Sequence, residues 1–142
     1  MNDTIKKFGY PKTTIKEYAY WIILLRPGQV TIGSLILAYK EDITSFSEVS
    51  SKGFLELKKI HSEIEKNLEI LFNMDKLNYL ALMMVDKNVH YHVIPRYSKD
   101  VTFKGILMKD YGWPNFPNFP KTNNISTKEF HEIRNSLVEI FN

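Results

Sequence analysis

Two histidines one residue apart, His90 and His92, carry the most chemistry in this chain. They lie in the run Val89-His90-Tyr91-His92-Val93-Ile94-Pro95, whose alternating pattern is that of a strand. Side chains alternate faces along a strand, so both imidazoles project from one face, about 7 Å apart at ~3.3 Å per residue. Val89, Tyr91 and Val93 take the other face and can pack against a helix, which leaves the histidines looking into a cleft or solvent. Imidazole titrates near neutral pH, can attack phosphorus and can donate to a phosphate oxygen. Three readings compete. The pair can be two solvent-facing or internally satisfied strand residues. It can supply two metal ligands, with Asp86 as a third, although catalytic zinc normally takes three protein ligands and the remaining histidines, His61 and His131, fall on the surfaces of expected helices. Or it can perform nucleophilic catalysis on a phosphate ester.

The elements that must position the pair follow from pattern. Tyr18 to Leu25 is aromatic and β-branched and reads as a strand, stopped by Arg26-Pro27-Gly28. Gly33 to Tyr39 is the next strand. Ser45-x-x-Glu48 has the form of a capping box. Beyond it Leu57, Ile60, Ile64, Leu68 and Leu71 recur at helical spacing, so a long helix is expected from about Ser50 to Asn73. Leu77 to Val85 is strongly apolar and reads as a central strand, with Met83 and Met84 as core filler. Asp86-Lys87 turns the chain into the histidine strand. The run from Val101 to Ile106 reads as an edge strand. Tyr111 to Pro120 holds Pro114, Pro117 and Pro120 and is expected to be a loop over the body of the domain. Its aromatics Trp113, Phe116 and Phe119 can stack on a base, cover a partner subunit or fill a crevice, the last being the commoner use. Ser126-x-x-Glu129 opens a terminal helix carrying Phe130, Ile133, Leu137 and Ile140.

Composition narrows the class. At 142 residues one domain, 1–142, is expected. There is no cysteine, which rules out disulfides and thiolate metal sites and fits a reducing, cytoplasmic setting. A net charge of +3, from 19 basic and 16 acidic residues well mixed, suits an anionic ligand but not duplex nucleic acid. The N-terminus lacks an apolar signal core. The stretch Trp21–Ala38 is broken by Arg26, Pro27, Gly28 and Gly33, so no membrane span is expected.

The segment Asn88-Val89-His90-Tyr91-His92-Val93-Ile94-Pro95-Arg96 resembles the signature of the histidine triad (HIT) superfamily. In that signature three histidines alternate with apolar residues, followed by two apolar residues and often Pro-Arg. The order of strands and the long helix before the motif agree, and the resemblance covers residues 12–97. It implies an α+β fold: an open antiparallel sheet of about five strands with one long helix and a C-terminal helix, in a two-fold homodimer. It also implies a nucleotide phosphoanhydride or phosphoramidate hydrolase, resembling dinucleoside polyphosphate hydrolases, or a nucleotidyl transferase. His90 falls on the nucleophile that forms a covalent nucleotidyl-histidine, and His92 on the ligand of the phosphate oxygens. No tightly bound cofactor is implied, and Mg2+ enters only as a complex with the substrate.

Three positions depart from the signature. Asn88 stands for the first histidine. Arg26 stands where Asp or Asn usually binds the ribose hydroxyls, and Arg cannot accept those bonds but suits phosphate. Ser34 replaces a histidine. Asn88, Arg26, Gln29 and Ser34 are therefore the substrate-binding candidates beside the catalytic pair. The departures also leave open a non-catalytic nucleotide-binding or interaction module on the same fold.

Overall fold

A computed structural model describes all 142 residues. Its centre is a five-stranded antiparallel sheet. The strands are β1 (Thr14–Glu17), β2 (Trp21–Leu25), β3 (Leu35–Tyr39), β4 (Lys76–Leu80) and β5 (His90–Arg96). They lie in the order β1-β2-β3-β5-β4. Every residue of β2 and β3 is buried. Neither strand alternates, because the sheet is covered on both faces.

One face carries Ile23, Leu25, Leu35, Leu37, Tyr39 and Val93 and packs against α2 (Ser51–Phe72) through Leu57, Ile60, Ile64 and Leu68. The helical period seen in the sequence thus marks the buried stripe. The helix is capped by Ser50, whose side chain accepts from Gly53 N, and not by the Ser45 box. Ser45 caps only the short 3-10 turn Phe46–Glu48. Asn73 ends α2 in left-handed backbone at φ 51°. Gly33 adopts φ +84°, and a Cβ there would meet the Phe72 ring at 2.7 Å, so the turn into β3 needs glycine.

The opposite face holds a second cluster that the sequence reading missed. The helix α1 (Asp3–Lys7) and the residue after it lay Ile5 and Phe8 over Ile22, Leu24, Ile36 and Ala38. Asn2 caps α1 and its amide also donates to the carbonyls of Tyr39 and Glu41, pinning the helix to the sheet.

Two further expectations change. The run 77–85 is not a central strand: β4 stops at Leu80 and lies on the sheet edge. Met83 turns left-handed at φ 44°, and Met84 is 78% exposed, so neither the strand nor the core-filler reading of 81–85 holds. Val101 to Ile106 is not an edge of the main sheet. It forms a separate hairpin, β6 (Val101–Phe103) and β7 (Ile106–Met108), turned by Lys104-Gly105 with positive φ at both positions. The fifth sheet strand is β1. The C-terminal helix α3 (Thr127–Phe141) begins with the Ser126–Glu129 capping box and lies along β1, with Arg134 Nε donating to the Thr14 carbonyl.

Candidate active site

The register of β3 with β5 decides which way the histidines face. Ala38 pairs with His90 and Ile36 with His92, so both imidazoles share the α1 side of the sheet. They are 1% and 7% exposed, their ring centroids are 5.1 Å apart, and Phe8 packs on both at 5.7 and 5.9 Å. Nδ1 of His90 lies 2.7 Å from the Asn88 carbonyl. A carbonyl only accepts, so Nδ1 carries the proton and Nε2 holds a free lone pair. That Nε2 is buried and has no partner in the protein. A buried, unpaired acceptor is costly for folding alone, so this one stands out as a group kept for a ligand.

Arg26 reaches the same place. Its Nε makes a long contact, 3.5 Å, with Nδ1 of His92, its Nη1 donates to the Gly28 carbonyl, and the guanidinium lies 5.4 Å from the Phe119 ring centre. If Nδ1 of His92 accepts from Arg26, Nε2–H of His92 becomes a donor. Burial first, then the neighbouring His90 and Arg26, push the His92 pKa down to about 4, so this imidazole is neutral at pH 7. Phe119, 5.4 Å from the His92 ring, is the only one of the three loop aromatics that touches the pair.

The pocket they share encloses about 220 Å³ and is lined by Arg26, Leu82, Met83, Met84, Val85, Asp86, His90, His92 and Phe119. That is less than the ~300 Å³ of a small ligand site, so it fits a phosphoryl group and the first atoms of its substituents, with the rest of a ligand across the open rim. A larger groove of about 780 Å³ runs beside β4, lined among others by Trp113, Phe116 and Arg96. It contains no histidine, and its Arg96 is locked to Asp110 by Nε and Nη2.

The other candidates hold the backbone. The Asn88 side chain accepts from Thr4 N and donates to Asp42 and to the Ile43 carbonyl, while Thr4 Oγ1 accepts from Asn88 N. The reciprocal clamp ties α1 to the residue whose carbonyl orients His90. Gln29 is 1% exposed; its amide donates to the carbonyls of Arg26 and Ser34 and accepts from Gly33 N. Ser34 Oγ is bonded to Thr31. These two side chains brace the turn that presents Arg26 and do not line the pocket. Asp86 lines it but pairs with Lys7. No three His, Cys, Asp or Glu side chains are grouped as a metal-ion set. His61 is not an ordinary surface residue: its ring packs 4.6 Å from Tyr79 and its Nδ1 is buried without a partner. His131 is exposed on α3. Sequence reasoning missed Phe8 and the rim at Leu82–Val85. The signal for α1 was an N-cap Asn2 followed by Ile5 and Phe8 at helical spacing.

No protein-family model matches the sequence, and no curated protein sequence matches it. Solved structures do. A histidine triad protein of Bradyrhizobium japonicum superposes with TM-score 0.75 at 16% identity, over 99% of this chain and 96% of the other. A histidine triad (HIT) protein of Sinorhizobium meliloti gives 0.75 at 19% identity, covering 98% and 94%. A hypothetical histidine triad nucleotide-binding protein of Sulfolobus tokodaii gives 0.70 at 16%, covering 97% and 89%.

Proposed function

We propose that this chain, which has the histidine triad fold, is a working member of that superfamily: a nucleotide phosphoanhydride or phosphoramidate hydrolase acting through a covalent nucleotidyl-histidine. The observation that carries the reading is the free lone pair on His90 Nε2, with its opposite nitrogen anchored on the Asn88 carbonyl and two donors beside it. Nε2 attacks phosphorus, and the Asn88 carbonyl offsets the positive charge that forms on the ring. Negative charge gathers on the phosphoryl oxygens as the new bond forms. The Nε2–H of His92 and the Arg26 guanidinium, whose Nη2 makes no hydrogen bond within the protein, stabilise it. Water then cleaves the Nε2–P bond and releases a nucleoside monophosphate. Arg26 here binds phosphate, taking a task different from the ribose contact of its position in the family signature. Asn88, Gln29 and Ser34 act through the backbone they fix. The reading includes a nucleotide substrate and a two-fold homodimer.

The test is monophosphate release from adenosine and guanosine phosphoramidates and dinucleoside polyphosphates, by wild type and by His90→Ala. The variant is expected to lose at least about 100-fold in turnover. Equal, slow release by both proteins would leave the fold with a binding role only.

A further inference from the structure

Asp86 lines two cavities at once. One is the pocket that holds His90 and His92; the other, of about 390 Å³, adjoins it across Val85 and Asp86. Their walls differ. Leu82, Met83, Met84, Val85 and Phe119 make much of the first wall apolar. Around the second only Val85 is apolar, and Asp3, Asp42, Thr44 and Lys87 are exposed. A polar cavity of that size holds water, while apolar walls tend to stay dry. Its lysines, Lys7 and Lys87, stand with three carboxylates, Asp3, Asp42 and Asp86, so it offers no net positive charge to a phosphate chain. The Asp86 side chain is only 15% exposed. Its Oδ1 faces Lys7 Nζ, and its Oδ2 makes no hydrogen bond within the protein.

Hydrolysis of a nucleotidyl-histidine calls for a base, because water is a poor nucleophile until a proton leaves it. In that intermediate His90 Nε2 is bonded to phosphorus and Nδ1–H is held by the Asn88 carbonyl. His92 turns its Nδ1 toward the Arg26 Nε–H, which leaves a donor and no lone pair for water. Arg26 carries no acceptor. Asp86 is the one carboxylate in the wall. We propose that Asp86 is the general base of this second step and takes its water from the adjoining polar cavity. This rests on the nucleotidyl-histidine reading and adds a residue to it. The water oxygen bonds to phosphorus as one of its protons passes to the Asp86 carboxylate. The Nε2–P bond breaks, its electron pair stays on Nε2, and Nδ1 keeps its proton, so the neutral imidazole is restored. Asp86 then returns the proton to solvent by way of the polar cavity.

Adenosine 5′-phosphorimidazolide, which gives up its adenylyl group with imidazole as the leaving group, separates the two steps. Rapid quenching and intact-mass measurement follow the adenylyl-protein as it forms and decays. Asp86→Asn keeps the shape of the side chain and loses the proton acceptor. It is expected to form the adduct within about 3-fold of the wild-type rate and to discharge it at least about 100-fold more slowly, so that most chains carry one adenylyl group at steady state. His90→Ala should carry none. Asp86→Glu should regain at least about 10-fold of the lost discharge rate. Lys7 is 56% exposed, so Lys7→Met breaks the ion pair at little cost to folding and should discharge within about 3-fold of wild type. Discharge by Asp86→Asn at the wild-type rate overturns the proposal while the nucleotidyl reading stands. So does an equal loss in Lys7→Met, which would make the ion pair, and not the carboxylate, the thing that matters. A folded wild type that forms neither adduct nor monophosphate removes both.

Discussion

His92 sits where a proton is hard to hold, with a pKa brought down to about 4 by burial and by the neighbouring His90 and Arg26. The unfolded chain takes up that proton near pH 6.5, the folded chain only near pH 4. Between those values the unfolded state binds more protons, so folding stability falls as the pH is lowered and the full contribution is present above pH 6.5. His61, whose pKa burial also lowers, acts in the same direction. Thermal melts from pH 7 to pH 4.5 should therefore show a steeper loss of Tm for wild type than for His92→Gln, with a residual slope from His61. Identical slopes would mean that His92 does not set the acid limit. The same depressed basicity matters for the chemistry. In the proposed reaction a neutral His92 would keep one donor N–H for phosphate and would not repel the cation forming on His90.

A buried ion pair joins the end of β5 to the loop that follows β7. Arg96 and Asp110 have side chains 5% and 1% exposed. The Asp110 carboxylate also accepts from the backbone N–H groups of Tyr97, Gly112 and Trp113. Asp110→Ala would leave Arg96 buried without its counter-charge, at a cost of about 3–5 kcal/mol, read as a lower midpoint in urea. A cost below ~1 kcal/mol would mean the pair is idle. How much of this architecture was legible varies with the element. The histidine strand announces itself because period two survives in it, and α2 because its apolar stripe is long. The five residues of α1 bury only Thr4 and Ile5 within the helix, too little periodicity to stand out from a polar N-terminus. Residues 81–85 mislead in the opposite way: apolarity usually signals core, and here it lines a rim. At the site, the type and spacing of His90 and His92 were readable. The inward turn of Gln29 and Ser34 was not, because nothing local distinguishes a polar side chain that braces a turn from one that faces a ligand.

For the molecule as a whole, the two edges of the sheet are treated differently. The β1 edge is sealed by α3 and the residue that caps its end: the Arg134 and Asn142 side chains donate to the carbonyls of Thr14 and Ile15. No element pairs with the far side of β4, and the groove along it exposes Phe116 at 67%. An uncovered edge strand beside an aromatic groove is where the proposed homodimer would pair. Sedimentation of wild type at micromolar concentration should give twice the mass of one chain, and Phe116→Asp should shift it to one. Wild type running as a single chain at that concentration would remove the dimer from the reading. No helix of the structure is long and apolar enough to cross a membrane.

The exposed rim has one more consequence, in redox chemistry. Met84, at 78% exposure, presents its thioether to any peroxide that reaches the pocket. Oxidation to the sulfoxide adds a polar oxygen to a surface otherwise built from carbon and sulfur, and it is reversed only by a dedicated reductase. A chain without cysteine thus still carries a reversible oxidation target at the mouth of the pocket that holds His90 and His92.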